Sequence, residues 1–307
     1  MMPLPRNAWA LLGLLALFAL LLLPLPGFGT RLSVEVENFA HAPLFAAVAL
    51  GCWRWLRAAP AAGRDALRAW LLACALAVLV ASISELLQPL AGRDNSLHDF
   101  VTDLYGIGAA LLLVAARLLR GDRRRHLLRA AALAAVLVVG WPVAYTVAAY
   151  LHRAEQAPRL LDLDSALGRY FLLWRGVRLT PQGPGTWLIS PQQKAWAGIT
   201  VDEVMPDWRG YRSLVVDVSN PGDAPALLLI RVDDRASGKR YADHYGNSTT
   251  LAPGARLQWR LPLAGLQHRT AGRGLDLSAM HRVYLYQDTA RPATSLPYVL
   301  HELRLER

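Results

Sequence analysis

Residues 9–28 read Trp-Ala-Leu-Leu-Gly-Leu-Leu-Ala-Leu-Phe-Ala-Leu-Leu-Leu-Leu-Pro-Leu-Pro-Gly-Phe and contain no charged side chain. A helix needs about 20 apolar residues to cross the ~30 Å hydrocarbon core of a bilayer. Similar apolar runs recur at about 39–56, 67–89, 100–119 and 129–151. The first run is longer than the apolar region of a signal peptide, and four more runs follow it. We therefore expect residues 1–151 to form a polytopic membrane domain of about five transmembrane helices.

The arginines of the first half predict its orientation in the membrane. They fall into two alternate loops, at Arg54, Arg57, Arg64 and Arg68, and at Arg117, Arg120, Arg123, Arg124, Arg125 and Arg129. Cytoplasmic loops are enriched in Lys and Arg. We expect the N-terminus in the cytoplasm of a bacterial inner membrane and the C-terminal half in the periplasm. The formal net charge is +10, but the basic residues are not gathered in one soluble region, which argues against a nucleic-acid partner.

The second half of the chain has a different pattern of apolar and polar residues. Residues 153–175 place leucines and aromatic residues at roughly helical spacing, which predicts a short amphipathic helix within a linker, residues 152–184. From residue 185 to 307, short β-branched and aromatic runs alternate with turn residues, which predicts an antiparallel β-sandwich of the jelly-roll type. The expected strands are Thr186–Ile189, Ala197–Val204, Ser213–Val218, Ala226–Val232, Arg256–Pro262, Arg282–Tyr286 and Tyr298–Leu305.

Polar residues gather at the outer end of the third and fourth predicted helices. Glu85 and Gln88 are three positions apart on one helix face, while Asp99, Asp103 and Gly106 form a stripe on the next helix. Arg93 lies in the turn between the helices and Ser96 follows it, and His41 enters at the same level. Ionisable groups at membrane depth are costly unless they are paired or hydrated, so the pattern indicates a polar site.

Three interpretations of this polar site remain open from the residues. The first is a structural clasp in which Arg93 neutralises Glu85 or Asp99. The second is an enzyme site in which Glu85, Asp99 or Asp103 acts as a general acid or base. The third is a metal site built from His41, Glu85, Asp99 and Asp103, although no spacing motif supports one. On spacing alone, we expect no metal ion and no cofactor there.

Residues 30–120 resemble the VanZ-like membrane proteins. The family pattern is an acid and a His opening one span, Glu-x-x-Gln ending the next, then Gly-Arg, a Ser, and Asp-x-x-x-Asn-x-x-Gly. These are Glu37 and His41, Glu85 and Gln88, Gly92 and Arg93, Ser96, and Asp99, Asp103 and Gly106. Two positions depart from the family pattern: Asp103 stands where Asn is usual, and Asn38 where Lys is frequent. The resemblance implies a role in the cell envelope.

Residues 185–307 are similar to carbohydrate-binding jelly rolls with the galactose-binding-like fold. The similarity lies in Pro206–Pro221, which contains Asp-Trp-Arg-Gly-Tyr, in Ile230–Asp234, in Leu251–Gly254, and in Leu275–Ser278 before Tyr284 and Tyr286. It implies that a saccharide or a lipid-linked glycan is the ligand. Aromatic faces stack on sugar rings while polar groups bond hydroxyls. Candidate ligand-binding residues are Asp233, His244, Tyr245, Asn247, Tyr286 and Gln287.

Four aspartates of the second half carry oxygen ligands that suit a structural calcium ion, but none lies in a recognisable calcium loop. They are Asp207, Asp217, Asp233 and Asp234. The chain also contains no Gly-x-Ser-x-Gly, His-Glu-x-x-His or Gly-x-x-x-x-Gly-Lys-Ser/Thr motif. We therefore expect a non-catalytic accessory protein that presents a glycan-binding jelly roll. The alternatives are a membrane enzyme using the Glu85, Arg93 and Asp99 cluster on a lipid-linked or cell-wall precursor, and a structural or protein-interaction module.

Overall fold

The computed structural model describes residues 13, 29–58, 65–91, 96–119, 121–192, 196–238, 243–267, 273–288 and 295–307. The chain divides into two compact units, Met1–Thr146 and Val147–Arg307. The first predicted span, residues 9–28, lies outside the described residues except for Gly13, and so does Arg93.

The first unit is built from long helices whose ends follow from local sequence. Asp65 and Ser96 cap their helices by accepting hydrogen bonds from backbone N–H groups of Leu67 and Asp99. A short 3₁₀ helix, Gln88–Ala91, takes over where Pro89 cannot continue the hydrogen-bond ladder. The helices are α1, Arg31–Ala58; α2, Ala66–Leu87; α3, Leu97–Leu118; and α4, Asp122–Gln156, whose last residues belong to the second unit.

Within the described residues, three segments are long and apolar enough to cross a membrane: Ala66–Leu90, Leu97–Leu118 and Asp122–Gln156. They correspond to the third, fourth and fifth predicted spans. Helix α1 contains the second predicted span, 39–56, but is not among the three, and it carries Glu35, Glu37 and His41 in its first half. The large apolar side chains exposed on α4, such as Leu137 and Trp141, suit a lipid environment.

Small residues let α1, α2 and α3 pack closely. Ala69, Ala73, Ala77 and Ala81 recur every four positions on α2 and are fully buried. A Cβ at Gly106 of α3 would collide with the backbone carbonyl of Ala42 on α1. These two helices therefore approach closely one residue beyond His41, and His41 contacts Asp103 across their facing surfaces.

The second unit is an antiparallel sandwich of two five-stranded sheets. The first sheet has the order β1-β4-β9-β6-β7: β1, Leu172–Arg175; β4, Ala197–Val201; β9, Met280–Gln287; β6, Ala226–Asp234; and β7, Tyr245–Leu251. The second has the order β2-β3-β10-β5-β8: β2, Val177–Gly183; β3, Thr186–Pro191; β10, Tyr298–Glu306; β5, Ser213–Ser219; and β8, Arg256–Pro262. A short helix, α5, Leu263–Gln267, follows β8.

The core lies between the two sheets and follows the alternation of the strands. On β6, Leu228, Ile230 and Val232 are buried while Leu227, Leu229 and Arg231 are partly exposed. Trp208 is fully buried, and its indole N–H donates to the carbonyl of Met205. The predicted fold class, a helical region followed by an antiparallel β-sandwich, is confirmed.

One prediction about the linker is wrong. Residues 157–175 are not an amphipathic helix: α4 ends at Gln156, a 3₁₀ turn follows at Gly168–Phe171, and β1 begins at Leu172. The leucines at 160, 161 and 163, whose spacing suggested a helix, instead insert into the sandwich core from irregular chain. Strands β1, β2 and β7 were also not predicted.

Candidate functional site

The outer face of the first sheet carries two cross-strand rows of side chains. Strand pairing places Arg175, Gly198, Tyr286, Leu229 and Ser248 in one row and Leu173, Thr200, Tyr284, Arg231 and Gly246 in the next. Side chains on one face of a strand alternate by two residues. The side chains of these rows therefore point away from the sandwich core, and together they form the outer surface called here the β9 face.

A cavity of about 860 Å³ lies on the β9 face. Its wall adds Trp196, His244 and Asn247 to members of the two rows. This volume is within the range of sites for small organic ligands. The lining combines aromatic rings, two aliphatic hydroxyls, an amide, an imidazole and two guanidinium groups. Its described lining residues include no carboxylate.

Three aromatic rings line this cavity. Tyr284 and Tyr286 lie two residues apart on β9, so their side chains are about 6.7 Å apart along the strand. Trp196 has a positive φ of 54°, and its ring centroid lies 5.5 Å from that of Tyr286 at an interplanar angle of 66°. Trp196 is 53% exposed. The rings therefore form a solvent-accessible apolar surface and are not buried in the sandwich core.

An arginine adds a polar clamp beside these rings. The Arg231 guanidinium lies 4.9 Å from the Tyr284 ring centroid and donates to both carboxylate oxygens of Asp233, at 2.8 and 2.6 Å. This contact with Asp233 raises the pKa of Arg231. Burial, followed by the charge of Asp233, raises the pKa of the Tyr284 hydroxyl. Tyr284 therefore stays neutral and can donate a hydrogen bond at physiological pH.

Two glycines lie in the middle of the β9 face. Gly198 lies directly opposite Tyr286, and a Cβ there would also collide with the carbonyl of Leu285. Gly246 stands opposite Arg231 on the other side of β6. Gly246 is exposed, so the cavity is accessible beside Arg231, whereas Gly198 is buried and lets β4 lie close to Tyr286.

The structure divides the ligand-binding candidates into two groups. His244, Asn247 and Tyr286 line the cavity. Asp233, Tyr245 and Gln287 are not among its lining residues: Asp233 is buried against Arg231, Tyr245 packs against the core, and the Gln287 amide donates to the carbonyl of Leu227. Sequence reasoning missed Trp196, Arg175, Thr200, Ser248, Arg231 and Tyr284 as lining residues.

The four aspartates considered for calcium each face an arginine. The pairs are Asp207 with Arg209, Asp217 with Arg256, Asp233 with Arg231, and Asp234 with Arg273. The Asp234 carboxylate also accepts from backbone N–H groups of Ala236 and Asp276. A guanidinium group therefore occupies the position where a cation would otherwise balance each carboxylate.

The polar residues of the helical unit form a second, separate cluster. His41 Nδ1 lies 3.1 Å from Asp103 Oδ1, and both residues are buried. Glu85 accepts from the Gln88 amide at 2.8 Å and from the Ser96 backbone N–H at 3.3 Å. The structure therefore brings together residues from α1, α2 and α3, which the predicted stripes had placed at one level.

Asp99 and Gly106 complete the predicted α3 stripe. Asp99 is 8% exposed, and its backbone N–H donates to the Ser96 hydroxyl, which caps the helix. The proposed clasp through Arg93 falls outside the described residues. We call His41, Glu85, Gln88 and Asp103 the α-cluster.

No family model matches the chain, and no curated protein matches it either. The resemblance of residues 30–120 to VanZ-like proteins therefore stays a prediction. Several solved structures are similar over about half of the chain. An exo-beta-agarase is 15% identical with a TM-score of 0.39 over 49% of this chain and 25% of the agarase. The chain thus spans about a quarter of that protein's length.

Carbohydrate-binding modules are similar over most of their own length. The family 11 module from Clostridium thermocellum, solved in complex with a beta-1,3-1,4-mixed-linked tetrasaccharide, is 14% identical with a TM-score of 0.36 over 48% of this chain and 94% of the module. The CBM22-1 xylan-binding domain from Paenibacillus barcinonensis is 16% identical with a TM-score of 0.32 over 48% of this chain and 92% of the domain.

Proposed function

We propose that the β-sandwich binds a glycan on the β9 face and that the helical unit anchors it in a membrane. The observation that carries this proposal is the aromatic lining of the cavity, formed by exposed Trp196 and half-buried Tyr284 and Tyr286. Arg231 and Asn247 lie in the same lining. Sugar rings present apolar C–H faces and a rim of hydroxyls. Stacked aromatic rings with neighbouring amide and guanidinium donors match both features.

The chemistry of the lining favours binding over hydrolysis. Glycoside hydrolysis ordinarily needs two carboxyl groups that flank the scissile bond. The described lining of the cavity includes none, and the nearby Asp233 carboxylate is occupied by Arg231. We therefore infer a non-catalytic, accessory role for the sandwich.

The surroundings proposed for this module are those of a bacterial envelope. Three apolar helical segments support insertion in a membrane. The Arg-rich loops support a cytoplasmic N-terminus and a periplasmic sandwich in the inner membrane. In this arrangement the β9 face would meet cell-wall polysaccharide or the sugar of a lipid-linked glycan, in keeping with the VanZ-like pattern of residues 30–120.

A second function is supported by a separate observation, the buried α-cluster. Its carboxylates Glu85 and Asp103 lie beside His41. A membrane enzyme that acts on a lipid-linked precursor would use such groups as acid and base. Loss of envelope function in Glu85→Gln or Asp103→Asn, with glycan binding retained, would favour this alternative.

The first test is a glycan array probed with the full chain in lipid nanodiscs. Glycosidic detergents are avoided because a maltoside head group would compete for the site. We expect selective binding to a few related glycans, lost in Tyr286→Ala and retained in Trp174→Ala, whose exposed side chain on β1 does not line the cavity. Absence of binding by the folded protein would shift the assignment to a protein-interaction module.

A further inference from the structure

The α-cluster places three metal-ligating side chains from different helices around one point. One ligand atom each from His41, Glu85 and Asp103 lies within 4.8 Å of the others. These residues come from α1, α2 and α3. All three are buried, at 4%, 7% and 0% exposure. Helical bundles commonly hold metal ions with ligands drawn from facing helices in this way.

Two buried oxygen atoms in the α-cluster lack a hydrogen-bond partner among the described residues. They are Asp103 Oδ2 and Gln88 Oε1. Buried acceptors are ordinarily satisfied, and an unsatisfied one costs about 1–3 kcal/mol. Asp103 uses its other oxygen on His41, and Gln88 uses its amide nitrogen on Glu85. The oxygen atoms left over are therefore available to a cation.

The charge of the cluster also favours a divalent ion. Glu85 and Asp103 carry two negative charges when ionised, and His41 is a neutral ligand when it binds a metal. Two buried carboxylates that face one another are costly without a counter-charge. An ion of charge +2 balances them while it satisfies their oxygens. A single imidazole with carboxylate and amide oxygens suits a transition-metal ion such as Zn²⁺.

The helix packing holds the cluster in place. The close approach of Gly106 to the Ala42 carbonyl positions α1 against α3 beside His41 and Asp103. The Glu85 carboxylate is oriented by Gln88 and by the Ser96 backbone N–H. Zn²⁺ bonds of about 2.0–2.2 Å require ligand atoms roughly 3.3 Å apart. Because the ligand atoms lie within 4.8 Å of one another, each pair needs to close by at most about 1.5 Å.

We propose that His41, Glu85 and Asp103 bind a divalent transition-metal ion of the Zn²⁺ class, with Gln88 Oε1 as a further oxygen ligand. The site tethers α1, α2 and α3 at one end of the helical unit. It is independent of the β9 face, because its residues all belong to the first compact unit.

Zinc binding by the full chain tests this proposal. The protein is purified in nanodiscs with its affinity tag removed, stripped with a chelator and titrated with Zn²⁺, and its metal content is then measured after dialysis. We expect about one Zn²⁺ ion per chain. His41→Gln, Glu85→Gln and Asp103→Asn should each weaken binding at least tenfold, since each removes a ligand charge or a ligand nitrogen.

Matched controls use carboxylates outside the α-cluster. Asp122→Asn and Glu155→Gln change exposed residues on α4 and should bind Zn²⁺ like the wild type. Co²⁺ provides a readout that does not depend on variant folding. Co²⁺ bound to the wild-type protein should show visible d–d absorption that added Zn²⁺ displaces. Zn²⁺ should also raise the thermal unfolding temperature of the wild type but not that of folded Glu85→Gln.

Two results would overturn the proposal. One is a folded wild-type protein that retains no Zn²⁺ and gives no Co²⁺ spectrum. The other is Zn²⁺ binding that is equal in the wild type and in all three folded ligand variants. Neither result bears on glycan binding by the β9 face.

Discussion

Gly198 of β4 lies directly opposite Tyr286 of β9, and a Cβ at position 198 would stand only 2.6 Å from the Tyr286 Cβ. The absence of a side chain at 198 therefore permits the local placement of the Tyr286 ring. Gly198 lies between Arg175 and Tyr286 in the same row and lines the cavity. Sheet packing and the proposed binding surface depend on one glycine.

Gly198→Ala should therefore weaken glycan binding and reduce stability together. The added methyl group collides with the backbone carbonyl of Leu285. Overpacking of this kind costs about 1–3 kcal/mol. Thermal unfolding followed by tryptophan fluorescence measures the loss. Gly183→Ala on β2 is the control, because nothing lies near its Cβ position; an equal effect of both substitutions would contradict this reading of Gly198.

The Asp234–Arg273 ion pair should make the sandwich sensitive to acid. Burial alone would raise the pKa of Asp234, but its bonds from Arg273, Asp276 and Ser237 outweigh burial and lower the pKa to about 2. The folded-state pKa is below the unfolded value of about 3.9. The stabilisation, about 2 kcal/mol, is therefore present above about pH 4 and is lost as the pH falls towards 2.

Asp234→Asn tests this pH dependence. The variant should be less stable than the wild type by about 2 kcal/mol at pH 6, and the difference should shrink towards pH 2. Asp207→Asn is a matched control, because Asp207 pairs with Arg209 but its side chain is 49% exposed. Exposed pairs contribute little. A difference for Asp234→Asn that is constant from pH 6 to pH 2 would contradict the role of the ion pair.

The end of α4 should stabilise the sandwich. Tyr150 donates to the Glu203 carboxylate and packs edge-on against Phe171 at 4.9 Å between ring centroids. His152 Nε2 lies 2.9 Å from Asp162 Oδ2. Fragment 147–307 keeps these contacts, whereas fragment 157–307 loses them. An aromatic pair contributes about 0.5–1.5 kcal/mol and a hydrogen bond to a charged group about 1.5–3 kcal/mol.

We expect both fragments to be soluble and fragment 147–307 to unfold at a temperature at least about 5 °C higher than fragment 157–307. Circular dichroism during heating measures the difference. Equal unfolding temperatures would show that the sandwich is complete without the end of α4.

Strands with one buried face were predictable from the sequence. Strand β6 appears in the sequence as a continuous apolar run. In the structure its residues Leu228, Ile230 and Val232 are buried and alternate with partly exposed neighbours. Strand β7, Tyr-Gly-Asn-Ser-Thr-Thr-Leu, was not predicted. It lies at the edge of its sheet, so most of its residues are exposed and carry no apolar alternation.

The residues of the candidate sites were predictable only where helical spacing or residue type alone indicated that they lie together. The spacing of Asp99 and Asp103 placed them on one face of α3, and both are buried there. The lining role of Arg175 depends instead on strand register, which brings β1, β4 and β9 into rows. Single-sequence patterns do not determine register, since it depends on pairing between distant segments.

The most direct measurement of the central claim is the affinity of the full chain for its best array glycan, compared between two variants. Tyr284→Ala with Tyr286→Ala removes two rings of the β9 face, while Trp174→Ala removes an exposed ring that does not line the cavity. By isothermal titration, we expect the double variant to bind at least tenfold more weakly, about 1.4 kcal/mol, and Trp174→Ala to bind like the wild type. Unchanged affinity in a folded double variant would show that the glycan binds elsewhere.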